Sequence, residues 1–303
     1  MKVCAVIVTY NRKELLQRCL QAVMDQSIAV DFILVVDNCS HDGTSKLFYE
    51  GGLYDKSPVV KLIQLGENVG GAGGFYFGIK FAMQMNFDFV WLMDDDGYPD
   101  RQCLEELLKQ SSSEDICGPL VLSDHEDGLL SFTINDRKSG SYISSVSEFM
   151  ERYPVTAWDI ILPFNGTLIN TKIIEKIGLP RKEYFLWGDE VEYMLRAKFN
   201  GYTVCTISSA RFFHPRAKLT ACPMFFGKLF FNDSEQKLKV YCLIRNSVRT
   251  YLDYYGYGYA ILFLIKALWF YSFSRPSLDK MKMVFVAFWD AVTRNFSRHE
   301  MYF

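Results

Sequence analysis

The chain alternates between short, continuous apolar runs and longer stretches in which apolar residues recur every three or four positions. Residues 3–8 form a β-branched apolar run, which predicts a buried strand. Leu15, Leu16, Cys19, Leu20, Val23 and Met24 follow at helical spacing, with Asn11 and Glu14 placed as an N-cap and its capping-box partner. Further strands are predicted at residues 32–36, 59–64, 87–93 and 116–122. Asp42-Gly43-Thr44 starts a short helix. Residues 123–157 are polar and poorly periodic and predict a connecting loop or hairpin. Residues 160–169 and 171–177 read as strand then helix, closed by Gly178-Leu179-Pro180. Val191, Met194, Leu195 and Lys198 mark another helix, closed by Gly201, and residues 204–208 a last strand. Strands alternating with helices predict an α/β fold, its mostly parallel sheet covered on both faces. Such sheets bind ligands beyond the carboxyl ends of their strands. Three predicted strand ends carry polar groups there: Thr9 to Asn11, Asp37-Asn38, and Asp94 to Asp96.

Composition refines this picture in two ways. The 303 residues carry a net charge of −2, but the charge is unevenly spread. From Arg211 onward there are 14 basic and 6 acidic residues, a balance of +8, which leaves −10 for the first 210. That last stretch also holds 23 of the 48 aromatic residues. An acidic front suits a cation, and a basic, aromatic back suits anionic lipid or a phosphorylated acceptor. Eight cysteines without a CxxC pair argue against a zinc or disulfide framework. No basic segment precedes an apolar core at the start, so no secretory signal is expected, and a reducing cytoplasm is the expected setting. In that setting the sequon Asn165-Gly166-Thr167 carries no meaning. The longest apolar run, residues 257–273, contains Lys266 and falls short of the ~20 residues a span needs, so it predicts a buried or interfacial helix.

Four segments carry candidate chemistry. Asp94-Asp95-Asp96 directly follows an apolar strand. Adjacent carboxylates repel, and a divalent cation with hard oxygen ligands relieves the repulsion. Strand alternation puts Asp94 and Asp96 on one side. The competing reading is a solvated Asp-rich turn before Gly97. The spacing excludes a calcium-binding loop. Trp187-Gly188-Asp189-Glu190-Val191-Glu192-Tyr193 opens a helix, where acidic residues are favoured in any case. A carboxylate there also suits a general base, Asp189 or Glu190, with Glu192 and Trp187 toward an acceptor. Asn68 to Phe75 is rich in glycine but fits neither a dinucleotide fingerprint nor a P-loop. Its glycines allow either a phosphate near a helix start or tight helix–sheet packing. His214, ahead of Pro215, is either structural or part of a metal shell, and Arg216 and Lys218 can offset phosphate charge. Asp37 and Asn11 serve as turn and cap residues, or line a nucleoside pocket.

Val6-Ile7-Val8-Thr9-Tyr10-Asn11-Arg12, Val35-Val36-Asp37-Asn38-Cys39-Ser40 and Leu92-Met93-Asp94-Asp95-Asp96 together resemble the family 2 glycosyltransferases, which have the GT-A fold. The glycine-rich segment and Trp187 to Tyr193 resemble its galactofuranosyltransferase branch. The resemblance runs from Met1 to about Arg216. It implies a catalytic domain at residues 1–218, with a donor half to about residue 122 and an acceptor half from about 123. Residues 219–303 would then form a helical, aromatic-rich extension contacting a membrane or a second copy. It implies that Thr9, Asn11 and Asp37 line a uridine pocket, with Arg12, Asn68, Gly70, Gly71, Asp94 and Asp95 also toward the donor. Asp94, Asp96 and His214 would hold Mn²⁺ or Mg²⁺. Glu190 stands where the branch usually has Asp, so the base remains Asp189 or Glu190. The implied reaction is inverting transfer from a nucleotide-sugar, UDP-galactofuranose first, to a hydroxyl of a glycan or lipid-linked glycan in surface polysaccharide synthesis. A rhamnosyl- or other hexosyltransferase and a sugar nucleotidyltransferase are the alternatives. Peripheral contact at the inner face of the plasma membrane is expected, a homo-oligomer is left open, and nucleic acid is not an expected partner.

Overall fold

The computed structural model describes the chain except for residues 50, 113, 126, 137–138, 217–219, 226–228 and 303 and the side chains of Thr220 and Ala221. It divides into two compact units: Met1–Pro180 with Tyr193–Ala217, and Arg181–Glu192 with Lys218–Phe303. The segment Arg181–Glu192 groups with the residues from Lys218 onward rather than with the sheet.

The first unit opens with β1 (Val3–Thr9), α1 (Lys13–Met24), β2 (Phe32–Asp37), β3 (Val60–Gln64), α2 (Gly70–Gln84) and β4 (Phe89–Asp94). After the short β5 (Tyr98–Pro99) come α3 (Cys103–Gln110) and β6 (Asp115–Ser123). Residues 123–157, expected as a loop or hairpin, fold further: β7 (Leu129–Asp136), β8 (Ser141–Ser145), α4 (Val146–Arg152) and the start of β9 (Thr156–Trp158). β10 (Asn165–Asn170), α5 (Thr171–Ile177), the part of α6 (Asp189–Phe199) from Tyr193 onward, and β11 (Thr203–His214) complete it. The strand expected from residue 160 starts only at Asn165, because Phe164 and Gly166 take left-handed backbone conformations and the pairing of β10 with β4 slips there.

All eleven strands share one sheet, whose main path runs β3-β2-β1-β4-β10-β6-β11-β5. β1, β2, β3 and β4 are parallel, as are β6 and β11, while β10 runs antiparallel between the two sets. β1 shows why its sequence is apolar throughout: Val3, Ala5 and Ile7 pack beside α1 and α3 residues. Cys4, Val6 and Val8 pack beside residues of α2, α5 and α6 on the other face. A strand buried on both faces has no polar position to spare. Burial of each such valine or isoleucine contributes about 1.5–3 kcal/mol.

The second unit adds a hairpin, β12 (Thr220–Met224) with β13 (Leu229–Asp233), ahead of α7 (Lys237–Tyr254), α8 (Tyr257–Trp269) and α9 (Leu278–Thr293). Among the aromatic residues of this stretch, Phe231, Tyr241, Phe270 and Tyr271 are buried in its core, while others such as Tyr257, Tyr259, Phe285 and Trp289 are exposed. The helical run Tyr257–Ser274 is nevertheless long and apolar enough to cross a membrane, and only 22% of it is buried.

Candidate functional site

Chain order reverses beside β1: β2 and β3 extend on one side and β4 lies on the other. The carboxyl ends of β1 and β4 therefore border the crevice where open α/β sheets bind ligands. Thr9 to Arg12 and Asp94 to Asp96 leave the sheet there.

The three aspartates have separate fates. Asp94 is the last residue of β4 and half-buried. Asp95 is only 3% exposed. It accepts a 2.6 Å hydrogen bond from the Thr9 hydroxyl and a 3.0 Å bond from Arg12 Nη1. Burial pushes its carboxyl up to about 6, even though Arg12 and Thr9 pull it down. Asp96 Oδ2 accepts from Arg12 Nη1 at 2.7 Å, and its Oδ1 lies 3.2 Å from His214 Nε2. Burial opposes the charge on Asp96, yet His214 and Arg12 outweigh it and hold the carboxyl below its ordinary value. The Arg12 guanidinium gives up some solvation, but Asp95 and Asp96 hold it more firmly charged. This is not the solvated turn that was the competing reading.

Two features bring Asp96 to His214. Gly97 is required because a Cβ there would stand 2.2 Å from the Phe212 ring and 3.0 Å from the Phe213 carbonyl. The turn thus presses directly on β11, where β5 pairs with Phe212 and Phe213. β11 itself runs twelve residues to His214, well past the expected end at residue 208. It slips register between Ile207 and Arg211 and then resumes pairing with β6. Around the ring, Nδ1 lies 2.6 Å from the Pro215 carbonyl and 3.2 Å from Ser131 Oγ. With Nδ1 donating to that carbonyl, Nε2 of a neutral ring turns a lone pair toward a carboxylate oxygen. Two lone pairs face to face are relieved by a proton or by a cation.

Among the described residues Asp96 Oδ1 is buried without a donor in hydrogen-bonding geometry, which fits a divalent ion held between carboxylate and imidazole. The expected three-residue shell is not assembled. Among the described residues no group of three His, Cys, Asp or Glu is gathered for a metal. Asp94 does not join Asp96 as strand alternation predicted, because β4 stops at Asp94 and Asp95 and Asp96 lie in a turn. An ion here would take its remaining ligands from phosphate oxygens and water.

The neighbouring strand end carries a second group of polar residues. Asp37 is fully buried; its Oδ1 accepts from the Ser40 amide at 3.0 Å, and its Oδ2 has no partner among the described residues. A buried acceptor without a donor is costly and marks a place for a ligand donor. Asn11 does not cap α1; Arg12 occupies that position without a side-chain bond. Instead Asn11 adopts a φ of +53°, accepts from the His41 amide at 2.7 Å, and donates its own amide to Ser40 Oγ at 2.8 Å. Thr9, expected in the uridine pocket, is buried with its hydroxyl committed to Asp95 and braces the aspartates.

The glycine-rich segment divides its labour. Asn68 accepts from the Gly70 amide at 2.9 Å, and Asn38 donates to the Gly70 carbonyl at 2.8 Å. Gly74 and Gly78 are there for packing, since a Cβ at either would stand 2.4 Å from Val8 or Val6 of β1. A Cβ at Gly71 would meet nothing within 4 Å, so Gly71 alone of these three borders open space.

In the second unit, Asp189 is buried and Glu190 half-buried at the first turn of α6. Glu190 Oε2 accepts from the Gly188 amide at 3.0 Å. Glu192, expected toward an acceptor, is fully buried instead, with Arg181 Nε at 3.3 Å and the Tyr254 hydroxyl donating at 2.6 Å. It anchors the segment. Trp187 is half-buried, with Lys239 Nζ 5.6 Å from its ring centre. Arg216 is exposed, and Lys218 lies outside the described residues. Sequence reading missed Gly97, Ser131, Arg245 and Asn246. A Gly after three Asp was the one signal available; Ser131 lies in an aperiodic stretch, and the other two look like ordinary helix residues.

The sequence matches the glycosyl transferase family 2 profile over residues 4–178. It is 30% identical over 263 residues to the galactofuranosyltransferase GlfT1 of Mycolicibacterium smegmatis, covering 80% of this chain and 81% of that protein. Its fold is that of GalNAc-T7, solved with UDP, GalNAc and Mn²⁺ (TM-score 0.59, 15% identity, covering 100% of this chain and 58% of that one). It is also that of S. aureus TarS 1–349, solved with UDP-GlcNAc (TM-score 0.57, 15% identity, 99% and 84% coverage). These are GT-A folds, as the strand order and helix layers of the first unit require. The chain belongs to glycosyl transferase family 2 and is like its galactofuranosyltransferase branch.

Proposed function

We propose that this glycosyltransferase moves galactofuranose from UDP-galactofuranose to a hydroxyl of a glycan or lipid-linked glycan, with inversion at the anomeric carbon. The observation that carries the reading is the Asp96–His214 pair, with its unbonded carboxylate oxygen, at the mouth of β1 and β4. The donor rests on the name of the relative 30% identical to this chain. Asp96 and His214 would hold Mn²⁺ or Mg²⁺, and such an ion neutralises charge on a departing diphosphate. Asp37, Asn11 and the open backbone at Gly71 bind the uridine and its phosphates. Arg12 keeps Asp95 and Asp96 charged and in place. Glu190 accepts the proton of the acceptor hydroxyl as that oxygen bonds to the anomeric carbon and the bond to the diphosphate breaks. Asp189 is the more deeply buried of the two candidates, which favours Glu190.

The test is nucleotide release from a panel of UDP- and dTDP-sugars with Mn²⁺. Release from UDP-galactofuranose far above the rest is the expected result. Fastest release from another sugar keeps the reaction class and overturns the donor; pyrophosphate release from a nucleoside triphosphate instead would replace the class.

The same reading places the enzyme against an anionic lipid surface at the inner face of the plasma membrane, where lipid-linked acceptors are presented. Its support is that Leu262 and Ile265 of α8, Phe273 just beyond it and Trp289 of α9 are each more than half exposed. That apolar exposure lies within a stretch of net charge +8. Pelleting with phosphatidylglycerol vesicles should be lost on Leu262→Glu with Ile265→Glu. Equal pelleting of this variant and wild type would contradict the assignment.

A further inference from the structure

The segment that presents Asp189 and Glu190 is backbone-strained. Phe185, Trp187 and Gly188 have φ of +65°, +60° and +92°. Glycine adopts such angles freely, but two aromatic residues do so only where their surroundings hold them. What holds them comes from α7. Asn246 is fully buried. Its Nδ2 donates to the carbonyls of Tyr184 at 3.0 Å, Leu186 at 3.1 Å and Trp187 at 2.6 Å. Its Oδ1 accepts from Arg245 Nε at 3.0 Å. Arg245 is fully buried too and donates from Nη2 to the carbonyls of Tyr184 at 2.8 Å and Glu183 at 3.4 Å. Its Nη1 donates to the Phe296 carbonyl at 3.1 Å. A buried amide and one arm of a buried guanidinium are thus aimed at the main chain of one short segment. Immediately after it, the Gly188 amide bonds Glu190 Oε2.

We propose that Asn246, oriented by Arg245, is a positioning residue for the reaction. It fixes the left-handed backbone at Trp187 and Gly188, and through the Gly188 amide it sets the carboxylate of Glu190. The inference rests on the reading of Glu190 as the proton acceptor. Core packing alone explains it less well, because an apolar side chain would fill the same space without three bonds to one loop. A side chain aimed at carbonyls specifies conformation as well as stability.

The experiment is a double-mutant cycle on the full chain, reading UDP release from UDP-galactofuranose, or from whichever UDP-sugar wild type turns over fastest. Asn246→Asp keeps the shape but turns an acceptor oxygen toward three carbonyls. It should lower kcat at least tenfold, while the donor KM and the calorimetric affinity for UDP stay within about twofold. Combined with Glu190→Gln, it should lower kcat no further than Glu190→Gln alone, since both act through one carboxylate. If Asn246→Asp does not fold, Asn246→Ala, which adds no charge, carries the same cycle. Wild-type kcat in a folded Asn246 variant, or effects that multiply in the double variant, would overturn the positioning role. Wild-type kcat in Glu190→Gln would instead overturn the choice of base, so the two failures are distinct.

Discussion

Asp94–Asp96 and Asp189–Glu192 are both runs of carboxylates at the boundary of a regular element, yet they are held in opposite ways. At the strand ends the side chains themselves are bound: Asp95 by Thr9 and Arg12, Asp96 by Arg12 and by contact with His214. None of the three aspartates has a left-handed backbone, and the electrostatics are concentrated. In the second unit the main chain is bound, by Asn246 and Arg245, and the left-handed conformations of Phe185 and Trp187 cost roughly 1–2 kcal/mol each. Glu190 is left with its Oε2 on a local amide. A group that must keep a fixed charge beside a cation gains from rigid ionic partners. A group that must accept a proton gains from an orienting contact that does not neutralise it.

This contrast can be broken by substitution. The largest expected effect is Asp96→Ala, which should lower kcat about a thousandfold, several kcal/mol of barrier, in steady-state UDP release. Glu190→Gln should lower kcat about a hundredfold and leave UDP affinity unchanged by calorimetry. A larger loss in UDP affinity than in kcat would move Glu190 out of the chemistry. Gly97→Ala places a methyl against the Phe212 ring and should lower stability by about 1–3 kcal/mol in denaturant unfolding. It should also weaken Mn²⁺-dependent UDP binding, because the turn carrying Asp96 must retreat. Within the glycine-rich segment, Gly74→Ala should destabilise measurably, whereas Gly71→Ala should raise stability by about 0.5–1 kcal/mol through helix propensity. Equal melting shifts for the two would refute the division between packing and open positions.

The smallest effect is a pH dependence in the second unit. Burial disfavours the charge on Asp253, but Arg249 and Arg181 outweigh it and hold its carboxyl below the ordinary 3.8. A depressed folded value means the ion pairs stabilise the chain above about pH 4. That contribution is lost as pH falls through the folded value. The melting temperature should therefore drop between pH 5 and pH 3 more steeply in wild type than in Asp253→Asn.

Much of the first unit was legible because both faces of its parallel strands are buried, so apolar runs and polar strand ends stand out. That pattern placed β1 to β4, the aspartate run and Asp37 on one edge. It failed where strands are broken or polar. Ser208-Ser209 interrupts the apolar run of β11, so the strand's continuation to His214 was invisible. The β7–β8 hairpin lacks clean alternation, which concealed Ser131 behind the imidazole. Strand alternation also misled at Asp94 and Asp96, since it was carried past the last strand residue into a turn. The roles of Asn246 and Arg245 depend on which carbonyls a helix residue meets across the fold, and no local pattern encodes that.

The most direct test of the account is steady-state UDP release from UDP-galactofuranose in Mn²⁺ by wild type and Asp96→Ala side by side. Robust release by wild type, abolished by EDTA and reduced about a thousandfold in the variant, is the expected result. Release that survives both EDTA and Asp96→Ala would contradict the assignment of the Asp96–His214 pair as the centre of the reaction.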